Sequence, residues 1–374
     1  MKKAVLLGLG AAGNKAAIDA IENKVLPKEK VWLVNTTMRD IPEKYHDRAI
    51  IFGENLSGCG KERKLAKDAI LEKLRDDSDN TFETIVEEDD DLAVLVANAE
   101  GGTGSGSIAI IAKYLKEVIG INTHIMAFTG FETDVRGLKN TVDFFQDMDE
   151  EYIIQTISNK KFLNECGGNI RKAEKAANIE FCKRLTIMIG TPLIDSDQNI
   201  DDTDLHKLIN TPGFMDIEYK EFDKIKNMTE FESLCSDMMD SSKSLDFEPT
   251  AVRIGVILNI SDKNKDHINY TYNKLEERLG HPFELYQHVQ YAENYPEFIA
   301  IIASGIKMPL DDIIDTYEEY KKSSEKVSKS KDNFFAAVAE LKANEEDDAF
   351  DLKRKSISKQ NETKKKSFFD QFDK

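Results

Sequence analysis

Residues 98–107 read Asn98-Ala99-Glu100-Gly101-Gly102-Thr103-Gly104-Ser105-Gly106-Ser107, with the apolar run LAVLVA before them and IAIIAKYLKEVI, at helical spacing, after them. Ordering a glycine costs roughly 0.5–1 kcal/mol more than ordering alanine, so glycines clustered between two regular elements mark a close approach to the main chain. A flexible linker is the bland reading of a Gly/Ser-rich stretch. The strand on one side and the uninterrupted helix on the other argue against it. Strand, glycine turn and helix N-terminus together form a phosphate site, because free N–H groups and the positive end of the helix dipole aim at the same anion.

Outward from this stretch, the first half alternates short apolar runs with helical segments: KAVLLGLG, NKAAIDAIENKV, VWLVNT, KERKLAKDAILEKLRD, DLAVLVAN, SIAIIAKYLKEVI, NTHIMAFTG. That order predicts a parallel sheet covered on both faces, with ligands at the carboxyl ends of the strands, where every glycine cluster falls. Residues 164–190 read as helix, DSDQNIDDTD as an acidic polar stretch, and TAVRIGVILNIS, FELYQHVQYAE and EFIAIIASG as strands with the helix DHINYTYNKLEERL among them. The expectation is an α/β chain with a smaller α+β second domain, a further helix over 309–343, and a charged tail from Asn344 that is disordered in isolation.

At 374 residues, 40% hydrophobic and 32% charged, the chain can build two cores. No run approaches the roughly 18 apolar residues of a membrane span, and MKKAVLLGLGAAG passes into glycines instead of a cleavage site, so the reading is a cytosolic protein without direct membrane contact. Cys59, Cys166, Cys182 and Cys235 form no C-x-x-C pair and the six histidines are dispersed, which argues against a zinc site and a disulfide framework; no metal-ligating residues are nominated. The net charge of −18 disfavours binding of the body to nucleic acid, yet between Lys353 and Lys366 seven basic residues, Lys353, Arg354, Lys355, Lys359, Lys364, Lys365 and Lys366, stand against only Glu362.

Gly8-Leu-Gly-Ala-Ala-Gly13 matches G-x-G-x-x-G and, alone, suggests a dinucleotide-binding oxidoreductase. That reading needs an acid at the end of the second strand, where Asn35-Thr36-Thr37 stands, and leaves the Gly101 loop without a task. A P-loop is excluded because Glu62 follows Gly60-Lys61. Two glycine loops with a third pair, Gly58 and Gly60, suit a di- or triphosphate gripped from several sides.

GGTGSG resembles the signature of tubulin and its bacterial relative FtsZ, and Gly10-Ala11-Ala12-Gly13-Asn14 resembles their G-x-x-G-N. The resemblance, over about residues 4–305, implies GTP or GDP with Mg2+, held by Gly101, Gly102, Thr103, Gly104, Ser105 and Gly106. Asn35 would lie near the ribose, Glu132 and Arg136 of F-E-x-x-x-R near sugar and γ-phosphate, and Asn14, Asn159 and Asn178 at guanine. Two departures stand out. Glu100 replaces a small residue beside the phosphates, so it either faces magnesium or turns away, and Glu174 replaces the aromatic residue that stacks on the base.

The resemblance also implies GTP hydrolysis completed by a synergy loop, T-R-P-G-L-x-N-x-D-F-x-D-V, docked on the next subunit's nucleotide, so that head-to-tail contacts build a filament. TPGFMDIEYKEF is matched to that loop, making Asp216, Glu218 and Glu221 the catalytic candidates and TPLIDSDQNIDDTD an insertion. The domains implied are 1–163 for GTP, 164–190 the central helix, 191–308 the synergy loop and second domain, 309–343 a C-terminal helix and 344–374 the tail. SFFDQFDK is not the D-I-P-x-F-L peptide with which FtsZ ends, and long helix, basic stretch and divergent end look most like the plasmid and phage TubZ group, which segregates or positions DNA through a DNA-bound adaptor. An FtsZ-like division GTPase, a non-catalytic filament or scaffold, and a Rossmann NAD(P)-dependent oxidoreductase stand as alternatives.

Overall fold

The computed structural model describes residues 3–53, 56–76, 80–148, 151–190, 193–194, 199–223, 225, 227–248, 250–261, 264, 279–293 and 296–325. Its first half is β1 (Ala4–Leu9), α1 (Gly10–Glu22), β2 (Val31–Asn35), β3 (Ala49–Ile51), α2 (Arg63–Arg75), α3 (Thr81–Thr84), β4 (Leu92–Asn98), α4 (Thr103–Tyr114), β5 (Asn122–Thr129), α5 (Val135–Gln146) and β6 (Ile153–Ser158). Next come α6 (Asn159–Glu165), α7 (Ile170–Met188), α8 (Asp202–Ile209), β7 (Gly213–Glu221), α9 (Met228–Asp240), β8 (Arg253–Asn259), β9 (Glu284–Gln290) and β10 (Phe298–Ile306). The chain divides into two bodies, Met1–Glu318 and Glu319–Lys374. The first ends in a helical stretch from 310, and 319–325 of the second are also helical. The expected helix DHINYTYNKLEERL, most of the helix over 309–343 and the charged tail lie outside the described residues.

The ten strands of the described residues join one sheet, in the order β3-β2-β1-β4-β5-β6-β7-β10-β8-β9. From β3 to β7 the pairing is parallel, as βαβ crossovers require. The second half, expected as a separate α+β unit, continues this sheet through only two register pairs, Ile153 with Gly213 and Ile154 with Phe214. β10 then runs antiparallel to both β7 and β8.

Near-continuous apolar strands such as Leu92–Ala97 are buried on both faces, with α1 and α7 contributing to one core layer and α2, α4 and α5 to the other. A third core, around Phe214, Phe231 and Ile299, lies under α9. The strand order reverses between β1 and β4, which opens a crevice at their carboxyl ends.

Three local readings change. The helix expected over 164–190 is split: α6 ends at Glu165, Gly167 and Gly168 take left-handed φ of 60° and 81°, and Asn169 caps α7 through its bond from Lys172 N. The acidic stretch ends in a cap, Asp201, whose carboxylate accepts from Asp204 N at 2.8 Å and starts α8. GFMDIEYKE, expected as a loop, is β7 and is buried from Phe214 to Glu218. Among the described residues no helix is long and apolar enough to cross a membrane.

Candidate functional site: a divided cleft at the β1–β4 crevice

The two glycine loops touch main chain to main chain. A Cβ on Gly104 would lie 2.5 Å from the Leu9 carbonyl oxygen, and one on Gly13 only 2.1 Å from that of Val96. Any side chain there would push apart the loops that end β1 and β4. Neither α1 nor α4 has a side-chain cap at its N-terminus or an acid in its first turn, so both leave N–H groups and positive dipole ends for an anion.

These ends open onto a cleft of about 340 Å³ lined by Gly10, Ala11, Ala12, Asn35, Gly58, Gly60, Glu100, Gly101, Gly102, Thr103 and Gly104, all expected from the sequence, and also by Leu9, Asp40, Cys59, Lys61 and Asn98. Gly13, Asn14, Ser105 and Gly106 stand behind it. Ser105 bonds its hydroxyl to the Gly101 carbonyl and accepts from Arg63 Nε, while Gly106 gives α2 room. Lys61, which the sequence motifs do not mark as a ligand contact, is the ammonium of the cleft wall; it pairs with Asp134 and holds that carboxyl below the usual range. Asn140 donates to the carbonyls of Lys61, Glu100 and Gly101 at 3.0, 3.0 and 3.2 Å, so one amide fixes both loops.

Glu100 turns away from the cleft. Its carboxylate packs against Gly130, where a Cβ would lie 1.7 Å from Glu100 Cδ, and Oε1 accepts the Glu132 N–H at 3.0 Å. Burial pushes its carboxyl pKa up, against the pull of that hydrogen bond and of Lys61.

A smaller pocket of about 40 Å³ adjoins the cleft at Ala12 and Asn98 and brings together Lys15, Phe128, Phe131, Asn159, Glu174 and Asn178. Asn178 donates to Asp19 at 2.7 Å, and Glu174, in the expected aromatic position, faces Lys15 at 3.8 Å instead. Phe131 supplies an aromatic ring here from the other side. Asn14 is buried and lines neither pocket, and neither of its amide atoms has a partner among the described residues. Glu132, at φ 56°, faces Lys160 at 3.8 Å, and Arg136 pairs with Glu62; neither lines the two pockets.

Two of the three catalytic candidates, Asp216 and Glu218, are corrected. Asp216 and Glu218 are 2% and 6% exposed and both bind Arg184, at 3.1 Å each. Arg184 is itself fully buried and also holds Glu180 at 2.8 Å, Ser244 Oγ at 2.8 Å and the Thr156 carbonyl at 3.2 Å. Burial alone would lower the Arg184 pKa, but Glu218, Asp216 and Glu180 together raise it. Two carboxylates sealed under a guanidinium cannot reach another molecule. Glu221 is exposed at the carboxyl end of β7 and accepts from Tyr219 Oη at 3.0 Å.

α7 leads elsewhere. Asn178 lies beside Asn159 at the carboxyl end of β6, Arg184 reaches Thr156 and Met188 reaches Gln155, so α7 runs back toward the amino end of β6. From Asn178 to Met188 it rises about 15 Å along its axis. The segment it delivers carries Asn199, Asp201 and Asp202, exposed, and Asp204, half-buried, around the start of α8.

No family model matches the chain. The tubulin-like protein CetZ of Thermococcus kodakarensis is 25% identical over 241 residues, which cover 61% of this chain and 62% of CetZ. The chain thus spans about three-fifths of the length of the curated relatives it matches. Haloferax volcanii CetZ2, solved as a GTPγS-bound protofilament, superposes with a TM-score of 0.70 at 14% identity, over 87% of this chain and 99% of that one. The GTPγS-form protofilament of Bacillus thuringiensis serovar israelensis TubZ gives 0.69 at 16% identity, over 88% and 94%. The fold is that of the tubulin/FtsZ superfamily. CetZ and TubZ structures match it about equally well, so the likeness does not single out the plasmid and phage group. The superfamily pattern N-x-D-F-x-D-V fits 199–205, Asn-Ile-Asp-Asp-Thr-Asp-Leu, at both aspartates and the asparagine. That spacing was legible in the segment read as an insertion.

Proposed function

We propose that this chain is a GTPase that polymerises head to tail, its active site completed by residues 199–204 of the next subunit. The phosphates fill the larger cleft, against the N-termini of α1 and α4, the Gly58–Gly60 turn and Lys61; the base lies across the mouth of the smaller pocket, against Phe131 and the asparagines Asn159 and Asn178. The observation that carries the reading is the separation of these parts. The cleft holds donors and one ammonium, its carboxylate Asp40 sits beside Asn35, and two carboxylates of the matching spacing, exposed Asp201 and half-buried Asp204, follow the far end of α7. A cleft of donors with the acids elsewhere becomes complete when a second copy supplies them, and a heterologous contact that does not close generates a filament. Asp201 or Asp204 would then orient the attacking water and accept its proton, while the N–H groups and Lys61 take up charge on the transferred phosphoryl group.

Among the described residues no cluster of three or more metal-ligating side chains is present. Magnesium would therefore rely on phosphate oxygens and water, with Asp40 as the carboxylate within the cleft, in keeping with its habit of binding through substrate phosphates and one or two carboxylates. For the cellular role we favour DNA movement or segregation through a DNA-bound adaptor, on the strength of the basic run Lys353–Lys366.

The test is GTPase rate against protein concentration, with pelleting. The rate per subunit should rise steeply once polymer forms. A rate per subunit independent of concentration would rule out completion by a neighbour.

A further inference from the structure

On the far side of the Glu100 loop lies a second cavity, of about 200 Å³, between the loop after β5, the start of α6, residues 245–246 and the helical stretch from 310. Glu100 belongs to both spaces: its carboxylate lies on this side, against Gly130, and its main chain borders the phosphate cleft. The Thr129 hydroxyl is buried, lines this cavity and has no hydrogen-bond partner among the described residues. Leu138, Leu245 and Ile313 supply apolar wall.

The charges are unbalanced. Four carboxylates line the cavity against two lysines. Lys161 is taken up by Asp246 at 2.9 Å and by the carbonyls of Ser242 and Ser244, and Lys160 faces Glu132. Glu100 has no ion-pair partner among the described residues, and only Oε1 has a hydrogen-bond donor, the Glu132 N–H. A buried carboxylate and an idle hydroxyl beside an apolar wall are complementary to a cationic donor on a hydrocarbon body. The volume is that of a handful of waters, at about 30 Å³ each, and is below the 300–1,000 Å³ typical of drug-sized pockets, so the ligand is small.

We propose that this cavity binds a short aliphatic amine, its ammonium on the Glu100 carboxylate and Thr129 hydroxyl and its methylenes against Leu138, Leu245 and Ile313, and that occupancy changes nucleotide affinity through the shared residue. The coupling, unlike the binding, rests on reading the cleft as a GTP site, and by linkage it is reciprocal.

The test is calorimetric titration of the full chain with n-hexylamine at pH 7.5, with hexanoate as the control of equal body and opposite charge. Saturable one-to-one binding of the amine alone is expected, weakened at least about tenfold in Glu100→Gln by loss of a charge-assisted bond. Leu245→Phe, which fills the cavity away from the glycine loops, should weaken it similarly with the melting temperature unchanged. Hexanoate binding as tightly as hexylamine, or amine binding unaffected by both variants, would overturn the site. GTP affinity is then measured without and with saturating amine. A shift of threefold or more in the wild type, absent in Leu245→Phe, is expected. GTP that binds but ignores the amine would overturn the coupling alone, and failure of GTP to bind at all would overturn the cleft reading and the coupling together.

Discussion

Glu218→Gln separates the buried role of Glu218 from the catalytic one. In the fold one guanidinium, Arg184, serves three carboxylates, Glu180, Asp216 and Glu218. Burial and the charge of Asp216 outweigh the pull of Arg184 and raise the Glu218 pKa from 4.5 to about 8. The unfolded chain releases that proton near pH 4.5, so between these values the folded state holds one proton more. Stability is full below the lower value and falls as pH rises toward the upper, by about 1.4 kcal/mol per pH unit, or about 3 kcal/mol from pH 5.5 to 7.5. Glutamine keeps the shape and an acceptor for Arg184 but does not titrate. Urea unfolding of both proteins at pH 5.5, 6.5 and 7.5 should show the variant gaining on the wild type by up to that amount; taking the difference cancels groups common to both. GTPase activity should stay within about twofold. A stability difference flat across this range, or hydrolysis lost while the fold persists, would refute the buried-cluster account.

Other outcomes follow from the same geometry. Burial lowers the His124 pKa from 6.5 to about 4, so its contribution is present above pH 6.5 and lost as pH falls toward 4; His124→Gln should flatten the acid limb of the stability profile measured by urea unfolding. Lys61→Ala should weaken binding of a fluorescent GTP analogue by about ten- to a hundredfold, the range of one charge-assisted hydrogen bond, with little change in melting temperature. Gly104→Ala, whose new Cβ would meet the Leu9 carbonyl at 2.5 Å, should cost about 1–3 kcal/mol in urea unfolding and abolish binding of that analogue.

Much of the fold was legible because each early strand is a short apolar run bounded by glycine or by a helical period. NAEGGTGSGS could be placed at a strand–helix junction before any contact was known. The misreadings share one physical cause, which is that the partner of a polar side chain is set by tertiary structure. Asp216 and Glu218 occupy alternate positions of a strand, and the guanidinium that neutralises them arrives from α7, more than thirty residues earlier. Nothing in DIEYKE marks it as buried. The Pro212-Gly213 pair there imitated the P-G of the synergy loop and drew the match onto β7, while NIDDTD, polar and acidic, read as loop. Glu100 next to the phosphate glycines was puzzling for the same reason: the space for its side chain is made at Gly130, thirty residues on. Phe131, in the F-E-x-x-x-R loop, gave no local sign that it would face the pocket of Asn159 and Asn178.

The central claim, that one subunit's acids complete another's cleft, is tested most directly by mixing two defective proteins. Asp204→Ala keeps an intact cleft but lacks the donated acid; Lys61→Ala keeps the acid but binds nucleotide poorly. Each alone should hydrolyse GTP slowly. Mixed at equal concentration above the assembly threshold, they should recover a substantial share of wild-type activity, on the order of a quarter, since about one contact in four pairs an intact cleft with an intact acid. A mixture no more active than the sum of its parts would contradict the account.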